Sequence, residues 1–179
     1  MFNAPSILGG ILISSTIGTP NVISDLQLRD RIAIINVVNS VGTLADLRKW
    51  SQLQQLFTER VTVDYTSLFP GEVQNISSEQ LMTQWQSTLP GFDATQHMIT
   101  NHQITVNGNR ATVVAYVRAT HKLGDAMWVV GVYYVDELVR TDNGWKLQAI
   151  QYNALYEEGD RSLVEQAAAN VANPHNTDN

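Results

Sequence analysis

Four long runs of strand-forming residues, roughly 94–106, 110–121, 127–140 and 145–155, are parted only by NGN, LGDA and DNG. Connections that short can join only antiparallel neighbours, because a parallel return needs a crossover of a dozen residues or more. The runs therefore predict a meander of four antiparallel strands. Such a sheet needs something to cover one face, and the residues before it supply helices.

Ser24 and Gln27 form a capping-box pair, and Leu28, Ile32, Ile35 and Val38 recur at helical spacing, which predicts a helix from about 25 to 40. A second helix is expected near Thr43, with Asp46 three residues on and Leu47, Trp50, Leu53 and Phe57 as its buried stripe. VTVDY at 61–65 reads as a short strand and PGEVQN at 70–75 as a turn or loop. Ser77 and Gln80 cap a further helix carrying Leu81, Trp85 and Leu89, which Pro90 ends. A last helix spans about 160–172, before the polar end NPHNTDN, which is expected to be mobile. Helices first and a long sheet after them predict an α+β domain. A strongly bent antiparallel sheet with N-terminal helices folded on it would enclose a cone-shaped pocket for a small molecule.

The bulk numbers agree with one globular domain. The 179 residues are 44% hydrophobic and 16% charged, enough apolar surface to offset chain entropy. Seventeen acidic against 11 scattered basic residues give a net charge of -6, which speaks against nucleic acid as a partner. Without cysteine there is no disulfide, thiolate site or cysteine nucleophile. The apolar stretch SILGGILISSTIGTP has no Lys or Arg before it, the first being Arg29, which counts against a signal peptide. It is also too short and too rich in Ser and Gly for stable membrane insertion. The expected organisation is an extension at 1–23 that packs on the domain or a neighbouring subunit, a domain at 24–158 and a C-terminal helix and tail at 159–179, with the cytoplasm as the default location.

Two histidines, His97 and His102, lie five apart on the first long strand, so a regular strand points them to opposite faces. Thr95, Ile99 and Asn101 share the face of His97, a mixed set that suits a pocket wall. On the next strand Ala111, Val113, Ala115, Val117 and Ala119 share a face with His121, and small residues there leave room for a ligand. A two-residue Asn107-Gly108 loop would pair His97 with Arg118 and set His97 and His121 on opposite faces. A three-residue Asn107-Gly108-Asn109 loop, the favoured reading, would pair His97 with Ala119 and align them. Each residue also has a plain structural reading: a lone strand histidine is more often a satisfied side chain than a catalyst, Asp46 fits the third position of a capping box begun by Thr43, and Tyr65 suits a strand.

Taken in order, DLRKW (Asp46 to Trp50), VDY ending at Tyr65, TQH ending at His97 and RATH ending at His121 resemble scytalone dehydratase. The later GWK after a DN turn resembles the last-strand signature of the wider SnoaL-like group, which shares the cone-shaped fold of nuclear transport factor 2 and ketosteroid isomerase. The resemblance covers roughly residues 25–158. It implies a lyase or isomerase, of the dehydratase kind, that needs neither metal nor organic cofactor and works on a small hydrophobic cyclic hydroxyketone of polyketide or terpenoid type, as in secondary metabolism. His97 would then be the general base and acid, Tyr65 the phenol that polarises a carbonyl, and Asp46 and His121 a hydrogen-bonded pair that orients the substrate. Tyr134, Val132, Asn101, Trp50 and Asn153 are the expected substrate-contacting residues. A homodimer or homotrimer formed through the outer sheet face with Val114 and Tyr116 is also implied.

Ala45 replaces the family's second carbonyl-side tyrosine, and Val132 and Tyr134 replace a serine and an asparagine, so a substrate other than scytalone is expected. The alternative is a non-catalytic ligand-binding or dimerisation module of the same fold.

Overall fold

The computed structural model describes residues 24–173. The expectations for the 1–23 extension and for the end of the tail, 174–179, fall outside the described residues.

Helix α1 spans Asp25–Asp46 and opens on the expected capping box between Ser24 and Gln27. It is one helix where two were expected. Thr43 lies inside it, its hydroxyl donating to the Asn39 carbonyl, so no second start exists there and Asp46 is the last helical residue rather than part of a cap. Its buried face is Asp30, Ile34, Val38, Gly42 and Ala45; of the expected stripe Val38 is buried and Ile35 packs on the core, while Leu28 and Ile32 are about half exposed. The turn Leu47-Arg48-Lys49 leads to α2, a short helix at Trp50–Gln54 that inserts Leu53 into the core.

Phe57, expected on that helix, instead begins strand β1 (Phe57–Asp64). Strand β2 (Gln74–Ser77) forms where a loop was expected and pairs antiparallel with β1. Ser77 and Gln80 then cap α3 (Ser78–Gln86) as the spacing predicts, and a 3₁₀ turn at Leu89–Gly91 follows. The four long strands are β3 (Ala94–Asn107), β4 (Arg110–Leu123), β5 (Ala126–Thr141) and β6 (Gly144–Gly159), and α4 (Leu163–Ala172) ends the described chain.

The sheet order is β2-β1-β6-β5-β4-β3. Its meander is antiparallel as expected, but β1 runs parallel to β6, so the whole sheet is mixed. The intervening helix and strands provide the long crossover that a parallel pair requires. Register shifts between β5 and β6 at Gly131/Val132 and Glu137/Leu138 bend the strands around the helices.

The hairpin between β3 and β4 closes with Asn107 opposite Arg110, so its loop is Gly108-Asn109, neither of the two expected. Continued regularly, that register would pair His97 with Thr120. A bulge between Thr100 and Gln103, with Asn101 in the left-handed region at φ 57, slips it by one residue. His97 consequently pairs with Ala119 and shares a face with His121. The expected alignment holds, but the bulge produces it rather than the turn.

Two packed groups fill the inside of the sheet. Ile34, Val38, Leu53, Val61, Leu81 and Leu147 belong to one, and Val117, Trp128, Val130, Val132, Leu163 and Ala167 to the other. Fully burying each such aliphatic side chain contributes roughly 1.5–3 kcal/mol. Ile99 and Tyr152 pack against both groups.

Candidate active site

A cavity of about 320 Å³ opens on the inner face, within the range of small-molecule sites. Its wall is mostly apolar; polar groups come from His97 and His121, from Tyr65, Tyr134 and Tyr152, and from Gln84 and Thr88 near Trp85. Val164 of α4 reaches the wall, while Asn170 donates to the Gly91 carbonyl and Arg161 to the Leu68 carbonyl, so the last helix is fastened over one side.

His97 stands on β3 where α1 comes closest. A Cβ at Gly42 would lie 2.9 Å from the His97 Cβ, so only glycine permits this approach. One helical turn later, Asp46 accepts from the His97 backbone N–H at 2.8 Å and from the Thr95 hydroxyl at 2.8 Å, and its Oδ1 lies 2.7 Å from His97 Nδ1. A carboxylate at a helix C-terminus faces the negative end of the dipole, so these donors are what makes the position tenable. Burial alone would raise the Asp46 carboxyl, but the His97 hydrogen bond and charge, the His97 N–H and Thr95 outweigh it and hold it below the usual range. An ionised Asp46 makes Nδ1 the protonated nitrogen and leaves Nε2 for a ligand.

The expected Asp46–His121 pair is therefore corrected: Asp46 binds His97, because α1 ends beside β3 and not beside β4. His121 is 5% exposed and its Nδ1 has no partner among the described residues. Its ring lies edge-on to His97 at 5.7 Å and against Trp128 and Phe92 at 4.7 and 5.0 Å. Burial, followed by the neighbouring His97, pushes it down to about 4, so it is neutral near pH 7.

Tyr65, just past β1, accepts from Trp85 Nε1 at 3.0 Å and packs on Tyr152 with ring centroids 4.4 Å apart. Tyr152 in turn stacks on Tyr134 at 4.3 Å and 8°. Burial raises all three phenols above their ordinary value, so all remain protonated donors. Val132 also lines the cavity.

Asn101, Trp50 and Asn153 do not. Asn101 is the exposed bulge residue, Trp50 starts α2 and packs on the core, and Asn153 alternates with Tyr152 and so points to the other face of β6. His102 was expected on the far face, but the bulge turns it toward α1, where Nε2 meets the Asn39 side-chain oxygen at 2.9 Å.

Arg48 was not singled out from the sequence. Its guanidinium donates to Thr95 Oγ1 at 2.9 Å and to the carbonyls of Ala45 and Leu89, tying the end of α1, β3 and the 3₁₀ turn together. Its place within DLRKW was the available signal. Tyr152 and Gly42 were missed because nothing local marks a strand tyrosine or a mid-helix glycine as facing a cavity.

A profile of the SnoaL-like domain matches residues 26–151, most of the chain and all of the elements that build this cavity except α4 and the end of β6. The chain belongs to the SnoaL-like family. Among solved SnoaL-like or similarly folded structures, the Kfla4162 protein of Kribbella flavida is 31% identical, with 77% of this chain and 98% of that chain covered and a TM-score of 0.74. A candidate scytalone dehydratase of Novosphingobium aromaticivorans is 20% identical over 76% and 91% of the two chains, with a TM-score of 0.68. The hexachlorocyclohexane dehydrochlorinase LinA-type3 of Novosphingobium barchaimii is 18% identical over 77% and 95%, with a TM-score of 0.63. The last two share the SnoaL-like fold at a distance where fold alone is comparable. Among the described residues, no helix of this SnoaL-like chain is long and apolar enough to cross a membrane.

Proposed function

We propose that this SnoaL-like protein is a cofactor-independent dehydratase or isomerase that moves protons with His97 on a small cyclic hydroxyketone. The observation that carries this reading is the His97–Asp46 hydrogen bond, which fixes the tautomer and presents a basic Nε2 to an apolar cavity. Two structures of the same fold carry the names of eliminations, loss of water and loss of HCl, which supports the reaction class.

Nε2 takes the proton from the carbon next to the carbonyl, and the electron pair of the broken C–H bond moves onto the carbonyl oxygen as an enolate. A tyrosine hydroxyl at the cavity wall, Tyr65 first, donates to that oxygen. In a dehydration the enolate collapses to a C=C bond conjugated with the carbonyl, the β C–O bond breaks, and the leaving hydroxyl receives the proton from the His97 imidazolium. Water is released and His97 is neutral again. In an isomerisation the same proton returns to another carbon. Ionised Asp46 stabilises the imidazolium in between, and neutral His121 offers a hydrogen-bonding edge to the substrate hydroxyl.

The test is deuterium exchange from D₂O into the carbon next to the carbonyl of 3-hydroxy-1-tetralone, followed by proton NMR together with loss of water. Wild type is expected to catalyse exchange, and His97→Ala to slow it by at least about 10²-fold. Exchange by His97→Ala at the wild-type rate would remove the assigned role.

A further inference from the structure

Beyond Tyr134 the inner face of β5 carries, before Leu138, an acid that the proposed reaction does not use. Asp136 is 2% exposed, and its Oδ1 has no hydrogen-bond partner among the described residues. It enters none of the described ion pairs. Its strand neighbours in register are Val113 of β4 and Ile150 of β6, and Val63 of β1 lies beyond Ile150. On the buried face of α1 the only titratable side chain is Asp30, which Arg140 and Trp145 already engage. An ionised carboxylate without donor or countercharge in such a place would carry the full cost of desolvation.

What does face Asp136 is phenolic. Tyr134 and Tyr152 are a direct cross-strand pair, and Asp136 stands one same-face step beyond it, diagonal to Tyr152 at roughly 7 Å between backbones. Tyr65 leans on Tyr152 from the other side. These three hydroxyls are the titratable groups within electrostatic reach of the acid. Tyr65 Oη already accepts the Trp85 N–H, so its own proton must point elsewhere.

We propose that Asp136 is the positioning residue of an oxygen-binding end of the cavity: an uncharged carboxylic acid behind the phenol stack, which does not compete with a ligand carbonyl or enolate oxygen for the phenolic protons. An ionised Asp136 would be an acceptor only and would draw those protons toward itself. Burial agrees with the uncharged form, raising this carboxyl to about 8. Along β5 the level of His97 is Val130, its neighbour through Ala119, and the phenol stack stands at Tyr134, about 13 Å further along the backbone. Imidazole and phenols reach inward from these two levels. The ligand class is thus a ring ketone that offers its oxygen to the tyrosines and its acidic C–H to His97, which rests on the proposed reaction for the second half only.

The experiment uses wild-type protein labelled with ¹³C at aspartate carboxyl carbons. Infrared spectra are expected to show an isotope-shifted carboxylic-acid C=O band at pH 6.5 that vanishes as the pH passes about 8 and is absent from Asp136→Asn. The affinity for 1-tetralone, a ketone that does not itself titrate, is then followed by tryptophan fluorescence. It should fall about tenfold or more between pH 7 and 9.5 in wild type and in His97→Ala, and stay level in Asp136→Asn. Absence of the acid band at pH 6.5, or an equal fall in Asp136→Asn, overturns the proposal. The labelled wild type decides the protonation state even if that variant does not fold. Loss of His97-dependent exchange with these results intact would sink the reaction but leave the oxygen site standing; the reverse outcome would sink Asp136 alone.

Discussion

Arg48 holds a left-handed conformation at φ 55, where a side chain costs roughly 1–2 kcal/mol and where glycine would ordinarily end a helix. Its guanidinium braces Thr95, which donates to the carboxylate that orients His97. Arg48→Gly should therefore leave the melting temperature level or slightly raised while slowing ketone exchange by about tenfold, and Arg48→Lys should not restore the rate, because an ammonium lacks the fork that reaches three acceptors. A fall in stability matching the fall in rate would mean a merely structural arginine. At this scale the sequence named residues that the fold brings together, misassigned one partnership and counted Asn101, Trp50 and Asn153 to a wall they do not reach. His97, His121 and Tyr65 line one cavity with Asp46 bonded to His97, but which histidine the acid holds depends on where α1 stops, and Thr43 looked like a fresh start because its hydroxyl suits a cap as well as a back-bond to Asn39.

Helix α1 and strand β3 meet at Gly42, and the site depends on that contact being close. Gly42→Ala gains helix propensity of about 1 kcal/mol, yet its methyl group would meet both the His97 Cβ and the Ile99 side chain. The net expectation is destabilisation by about 1–3 kcal/mol in urea unfolding, with the His97 ring resonances displaced in NMR spectra. An unchanged His97 environment would show that helix and strand can part without cost. The four long strands were legible to within a few residues because their alternation and turn residues are local signals. Strand β2 was not, since QNIS pairs only because β1 offers it an edge. The bulge was equally hidden, as asparagine is only a weak sign of a positive φ.

For the molecule as a whole, two buried groups shape stability in opposite directions. His121 has a folded value of about 4 against 6.5, so the unfolded chain holds its proton more readily and stability rises with pH across that interval. Asp136 has a folded value of about 8 against 3.8, so the folded protein holds the proton and stability falls as pH rises across that range, levelling above it. The two slopes, each roughly 1.4 kcal/mol per pH unit, cancel between about pH 4 and 6.5, and a decline of about 2 kcal/mol from pH 6.5 to 8 remains. Urea unfolding at several pH values should show that decline in wild type. Asp136→Asn should abolish it and uncover a rise from pH 4 to 6.5, while His121→Asn should extend the decline down to about pH 4. Identical profiles for the three proteins would contradict both assignments. The bulge at Asn101 has its own reach over the molecule. Residues 94–100 spell two alternative walls, one of His97 and Ile99 and another of Gln96 and Met98, and a single extra residue in the strand selects the first. Length changes between that point and the hairpin act on this cavity as a shift of reading frame acts on a message: one inverts its meaning, and a compensating second restores it.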